Sequence, residues 1–273
     1  RHIFRAPSII WLSDSSTVER MHRIGYFLTD GFQVMAIGTQ SVFEFANVVA
    51  RERVYAVTNY SLSGGDVQAS LGVSVKTEPI HKSTDADTWM ISGIVDPTQR
   101  SSTAAELAFV RAASERSRRT AGLCTGAFVL ADAGLLDGKR ATTHWAYADA
   151  LQVRCPSAQV EPDHIFVVDG PIWTSAGLTA AMDLALGLVE KDLGNEVATK
   201  VARVMVMNQR RAGGQSQQSE MLKLAPKSDR IQSALAYARK NLHRALTVED
   251  LATAVHLSPR QFSRVFTAET GQS

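Results

Sequence analysis

From Arg23 onward, short apolar runs alternate with stretches whose apolar positions recur every three to four residues. The runs at 24–28, 54–60, 73–78, 88–93, 120–124, 165–168 and 172–174 read as strands. Helical periodicity covers about 32–50, 102–117, 127–133, 179–193 and 196–208, with Ser102 as a cap for the second of these. Ser63-Gly64-Gly65-Asp66 and Asp169-Gly170-Pro171 read as turns. Strands alternating with helices predict an α/β fold class: a doubly wound, mostly parallel, flavodoxin-like sheet. In such sheets ligands sit beyond the carboxyl ends of the strands.

The pattern changes after Asn208. Across 209–219 apolar residues nearly vanish and Gly, Ser and Gln dominate, which reads as a flexible linker. Beyond it no β pattern returns. The expected organisation is an N-terminal arm over 1–22, an α/β domain over 23–209, a linker over 210–228 and a small all-α segment over 229–273. The first 22 residues lack the apolar core of a signal peptide, and no apolar run approaches 18 residues, so a cytoplasmic protein is expected.

Charge sharpens this division. Residues 1–194 carry 17 Lys and Arg against 21 Asp and Glu, whereas 195–273 carry 12 against 6. A basic C-terminal segment behind a slightly acidic body suits a phosphate backbone, although a solvated basic surface has the same composition. Two cysteines, Cys124 and Cys155, are too few for a disulfide framework and lack zinc-ligand spacing. No cofactor or metal is expected; Cys155, before Pro156, reads as structural. The polar face of 102–119, with Arg111, Arg116, Arg118 and Arg119, reads as solvated or as an interface.

In the C-terminal segment, 229–241 is amphipathic, with Ile231, Leu235 and Ala238 on one face. Thr247 with Asp250 forms a capping-box pattern, and Leu251, Ala252 and Val255 give the buried face of the helix it opens. Ser258 then restarts the grammar as an N-cap, with Pro259 at N1 and Gln261 at N3. Phe262, Val265 and Phe266 face inward, leaving Arg260, Gln261, Ser263 and Arg264 outward. Two short helices across a tight turn, the second presenting Arg and Gln, are the parts of a major-groove reader. Arg matches guanine bidentately and Gln matches adenine. Ser258, Arg260, Gln261, Ser263 and Arg264 are the candidate DNA contacts; a plain αα-hairpin would show the same periodicity. The string from Leu246 to Gly271 closely resembles the first helix-turn-helix of AraC-family regulators, with His256 at a turn where Gly is common. That family carries two such units, and here the sequence ends after the first. The resemblance implies promoter DNA as a partner of the parent protein.

In the body, Cys124 stands where a buried strand turns into a helix. Helix N-termini favour a thiolate or an anionic ligand. Cys124-Thr125-Gly126-Ala127-Phe128, Ala141-Thr142-Thr143-His144-Trp145 and the run from Thr174 to Asp183 resemble the PfpI-type branch of the glutamine amidotransferase-like superfamily. Joined to the C-terminal segment, the chain over 23–273 resembles GlxA-type AraC regulators. Enzymes of the superfamily pair the elbow cysteine with a carboxylate on the helix after the first strand. Here that place falls on Ala36, and Glu44 lies about two turns further on. An Ala there resembles GlxA-type regulators linked to catabolism of arginine, carnitine and related nitrogen compounds. The resemblance therefore implies a binding pocket rather than a catalytic one, lined by Cys124, Thr125, His144, Trp145, Gly93 and Ala36. Gly93 would offer a backbone N–H, and Trp145 a face for a cationic amine.

The expected function is a homodimeric, metabolite-controlled transcription regulator, with an amino acid or quaternary amine as effector. The alternatives are a cysteine-dependent amidase, hydratase or glyoxalase-like enzyme, with Cys124 as its nucleophile, and a DNA-binding protein whose α/β domain binds nothing.

Overall fold

The structure, a computed structural model, describes residues 21–207, 210–217, 228–241 and 243–272. The expected N-terminal arm up to residue 20 and the linker residues 218–227 lie outside the described residues. The chain divides between Gln217 and Gln218 into two compact units.

The first unit contains β1 (His22–Phe27), α1 (Met35–Gly38), α2 (Gln40–Ala50), β2 (Tyr55–Ser61), β3 (Ser63–Gln68), β4 (Ser74–Pro79) and β5 (Thr88–Ile91). It continues with α3 (Ala104–Arg116), β6 (Arg119–Gly122), α4 (Gly126–Asp132), β7 (Arg140–Ala141), α5 (Ala148–Arg154), β8 (Gln159–Val160), β9 (Phe166–Asp169), β10 (Ile172–Ser175) and α6 (Leu178–Val204). Eight strands form one sheet in the order β3-β4-β2-β1-β5-β6-β10-β9, while β7 and β8 pair separately. The pairings from β4 through β10 are parallel, and the edge strands β3 and β9 run antiparallel to their neighbours.

Alternation along the strands builds two core layers. Tyr26 and Met90 join α2 and α6 residues such as Phe43, Leu184 and Leu188 on one face. Phe27, Trp89 and Ile91 meet Phe109, Val110 and Leu130 on the other. Each large side chain fully buried here contributes about 1.5–3 kcal/mol. Trp89 needs Gly25 beside it, since a Cβ there would fall 2.5 Å from the indole.

Several expectations are corrected. Ser63-Gly64-Gly65-Asp66 lies in β3 rather than in a turn; Gly64 and Gly65 have φ of 70° and 80°. Gly64 lies so close to Pro79 that a Cβ would come within 2.7 Å of its ring. The cap of α3 is Thr103, in a reciprocal box with Glu106, and not Ser102. Residues 32–50 hold two helices, joined at Thr39, whose hydroxyl donates to the Ala36 carbonyl at 2.7 Å. Of the arginines of 102–119, Arg111, Arg116 and Arg118 are exposed, and Arg119 departs from the expected solvated face. Arg119 is buried in β6 and its guanidinium donates to Asp192 at 3.0 and 2.7 Å, while Arg111 donates to the Ala133 carbonyl at 2.9 Å.

The expected linker also begins later. Residues 210–217 form a strap on the body: Ile165 N–H donates to the Gln215 carbonyl at 3.0 Å and Phe166 N–H to that of Gly213 at 3.3 Å. His164 and Ser216 form an antiparallel bridge, so the strap pairs with the start of the edge strand β9.

The second unit contains α7 (Asp229–Lys240), α8 (Val248–Ala254) and α9 (Pro259–Thr270) around Ile231, Ala234, Ala252, Val255 and Phe262. Ala234 takes the buried place on α7 that the periodicity gave to Ala238.

Candidate functional site

Cys124 follows β6 and precedes α4 with φ of 52°, a left-handed conformation uncommon for a side chain other than Asn, Asp or His. The bend is held from several sides. Cys124 N–H donates to Ser175 Oγ at 3.4 Å, and the Cys124 carbonyl accepts from Thr143 Oγ1 at 3.0 Å. Thr125 Oγ1 donates to the Ile94 carbonyl at 2.6 Å. The loop after β5 presses against this turn. A Cβ on Gly93 would lie 2.1 Å from Thr125 Oγ1 and 2.4 Å from Gly126 N, so only glycine fits. The polar contact that Gly93 makes is through its carbonyl, which accepts from Gln33 N–H at 3.0 Å.

The thiol is not activated. Burial pushes Cys124 up to about 11, against the opposing pull of the Thr125 N–H and the Gln33 side chain. Desolvation outweighs the helix-terminus effect that favoured a thiolate in the sequence, because the sulfur is nearly enclosed. At pH 7 about one molecule in ten thousand carries the thiolate. Gln33, overlooked in the sequence, is the residue of the 30–36 segment whose side chain hydrogen-bonds the thiol. Ala36 is buried in the core layer with α2 and α6.

Beside the elbow, His144 and Trp145 open a cavity of about 220 Å³ at the carboxyl end of β10. Ala176 and Gly177 before α6, and Leu178, Thr179 and Ala180 at its start, also line it, and Arg211 and Gln217 come from the strap. His144 Nδ1 accepts from Ala146 N–H at 3.3 Å, so its proton sits on Nε2. Burial lowers the His144 pKa and keeps the ring neutral near pH 7. Its ring lies 5.4 Å from that of Trp145, which is 53% exposed. Gly177 packs on the imidazole edge, where a Cβ would come within 3.2 Å. Arg211 donates through Nε to Asp183 at 2.8 Å and through a terminal nitrogen to Thr179 Oγ1 at 2.9 Å. His144, Trp145, Arg211 and Gln217 thus meet at one cavity. The expected pocket residues Cys124, Thr125, Gly93 and Ala36 are not among its lining residues; Cys124 is linked to it through Thr143, the neighbour of His144, while Thr125 packs against Gly93.

In the second unit both capping boxes form. Thr247 Oγ1 accepts from Asp250 N–H at 3.1 Å and Ser258 Oγ from Gln261 N–H at 3.3 Å. His256 adopts the expected left-handed turn, with φ of 57°. Arg260, Gln261, Ser263 and Arg264 are exposed on α9. Gln261 differs from a free base reader: its Oε1 accepts from Ser258 N–H at 3.1 Å and from the Ser258 hydroxyl at 2.9 Å. Its amide nitrogen is left as the outward donor, and bidentate adenine pairing would require breaking the cap.

The DJ-1/PfpI family model matches residues 15–191, and that of bacterial regulatory helix-turn-helix proteins, AraC family, matches 239–273. The HTH-type transcriptional regulator GbdR of Pseudomonas aeruginosa is 30% identical over 247 residues, 89% of this chain and 66% of its own length. This chain thus spans just under two thirds of that relative. The HTH-type transcriptional regulator CdhR of the same organism is 33% identical over 248 residues, 88% of this chain and 72% of its own. An AraC family transcriptional regulator from Pseudomonas putida shares the fold of the body, with a TM-score of 0.61 at 24% identity, covering 67% of this chain and 99% of that one. The sheet order, the strained cysteine elbow and these matches agree: the chain belongs to the DJ-1/PfpI family, with an AraC-type helix-turn-helix match behind its α/β domain.

Proposed function

We propose that this chain is the sensing domain and a DNA-reading unit of a transcription regulator. A small metabolite in the His144–Trp145 cavity governs how α9 engages promoter DNA. The observation that carries the reading is a cavity beside a cysteine elbow whose thiol stays protonated. It is supported by the helix-turn-helix match and by relatives named as transcriptional regulators. An amino acid or quaternary amine suits the lining: Arg211 and His144 Nε2 are donors for a carboxylate, and the Trp145 face attracts a cation by about 0.5–2 kcal/mol.

The body binds rather than turns over its ligand. Ala36 supplies no acid or base, Gln33 is neutral, and burial holds the Cys124 proton in place. The regulator works in the cytoplasm as a homodimer whose two reading helices meet paired half-sites; among the described residues no helix is long and apolar enough to cross a membrane.

Selection of bound sequences from a random duplex library, using wild type, Arg260→Ala and Arg264→Ala, tests the DNA assignment. The variants should lose base preference at individual positions while retaining general affinity. An unchanged preference in both would refute the groove assignment.

A further inference from the structure

The strap ties the cavity to the chain that leads into the second unit. Its last residue, Gln217, makes a dense set of contacts for a surface glutamine. The side-chain nitrogen lies within donating distance of the carbonyls of Thr143 (2.8 Å), Pro162 (2.8 Å) and His164 (3.1 Å), and of Thr142 Oγ1 (3.2 Å). Its Oε1 accepts from Trp145 N–H at 2.9 Å. The Gln217 backbone N–H donates to the Asp163 carbonyl at 2.8 Å, and Ser216 Oγ donates to Asp163 Oδ1 at 2.8 Å. At the other end of the strap, Arg211 is pinned by buried Asp183, and Arg210 donates to Asn195 at 2.6 Å. Gly213 lies flat on Phe166, where a Cβ would fall 2.5 Å from the carbonyl oxygen.

We infer that residues 210–217 are a latch, held by Arg211 and Gln217, that completes one wall of the cavity and sets where the tether to the helix-turn-helix begins. The inference rests on reading the His144–Trp145 cavity as the effector site. Arg211 and Gln217 line the cavity only while the strap is seated, so an occupant touching them binds the closed state better than the open one. Linkage then makes occupancy close the latch. Closed, ten residues, 218–227, separate Gln217 from Ser228. Open, the strap adds eight more, about 26–29 Å of extra contour at full extension. The latch state therefore sets how much chain lies between the body and the helix-turn-helix.

Hydrogen exchange on the full chain, wild type against Gln217→Ala, is the test, with Arg211→Gln as a second variant. The amides of Gln217, Phe166 and Ile165 should exchange about tenfold faster or more in Gln217→Ala, while α2 and α3 keep wild-type protection. Spin labels at Val153→Cys and Thr253→Cys, exposed positions in the two units, should then show a broader distance distribution with a longer tail. Unchanged strap exchange in both variants overturns the latch. So does faster exchange with an unchanged distance distribution, which would mean that the strap opens without lengthening the tether. Neither arm needs a bound metabolite. Failure here removes the latch and leaves the cavity, whereas a cavity that binds none of a compound panel removes the effector reading and leaves the latch.

Discussion

Gln217 donates to the carbonyl oxygen of Thr143 at 2.8 Å, and the Thr143 hydroxyl donates in turn to the Cys124 carbonyl at 3.0 Å. One residue therefore stands between the strap and the strained elbow. Thr143 also precedes His144, so a shift at the cavity mouth is felt by the backbone on both sides. The backbone of the elbow is thereby tied to the strap that walls the His144–Trp145 cavity.

The thiol makes the first prediction. With the pKa of Cys124 at about 11, alkylation by iodoacetamide near neutral pH should be about a hundredfold slower than for a free thiol of ordinary pKa. The rate should rise tenfold per pH unit until the fold gives way. Because the folded pKa lies above the unfolded one, the folded state holds this proton more tightly. That contribution, about 2–3 kcal/mol, is present below pH 9 and lost as pH rises through 11. Rate profiles in a Cys155→Ser background check it. A profile with its midpoint below 8 would contradict the burial argument.

A second prediction concerns Gly93. Gly93→Ala should destabilise by more than about 2 kcal/mol in urea titration or fail to fold, because the new methyl meets backbone rather than a mobile side-chain end. Gly38→Ala is the control. The nearest atom there is Met182 Cε at 3.8 Å, and a helical alanine should be neutral or stabilising by up to ~1 kcal/mol.

The Arg119–Asp192 pair joins β6 to α6, with Arg118 at 3.6 Å and the Tyr55 hydroxyl at 3.1 Å on the same carboxylate. Arg119→Met should cost about 3–5 kcal/mol, because it leaves the buried Asp192 charge with a half-exposed cation, Arg118, and the neutral Tyr55 hydroxyl. The double change Arg119→Met, Asp192→Leu should recover most of that loss in the same titration. Equal losses in the single and double variants would show that packing, not charge, holds this corner.

Much of the fold and part of the site were legible in the sequence. The runs at 24–28 and 88–93 read as strands because parallel strands covered on both faces are almost wholly apolar. Both capping boxes of the helix-turn-helix read directly, since they depend on residues three apart. Long-range hydrogen bonding did not read. The strap looked like a linker because Gly, Ser and Gln also describe a polar segment that bonds to the backbone of 162–166. Gln33 was passed over for Ala36, since its approach to Cys124 depends on Gly93, sixty residues away. Gly64-Gly65 looked like a turn because the residue types that permit a turn also permit a kinked edge strand.

In the second unit, Ser258→Ala should lower the stability of α9 by about 1 kcal/mol through loss of its cap. With the hydroxyl gone, Gln261 Oε1 keeps one of its two bonds, that from the backbone N–H of residue 258, and gives it up more readily to pair with a base, so the variant should gain preference for adenine at one position of a selected site while losing stability. Circular dichroism melts and library selection read the two effects separately. Unaltered selection would place Gln261 away from the bases.

The most direct test of the central claim is thermal melting of wild type and Cys124→Ala against a panel of amino acids, polyamines and quaternary amines. The account predicts that one class of compound raises Tm in both proteins and is recovered chemically unchanged. A stabilisation that fades as the compound is consumed, and only where Cys124 is present, would show the body to be an enzyme and contradict the account.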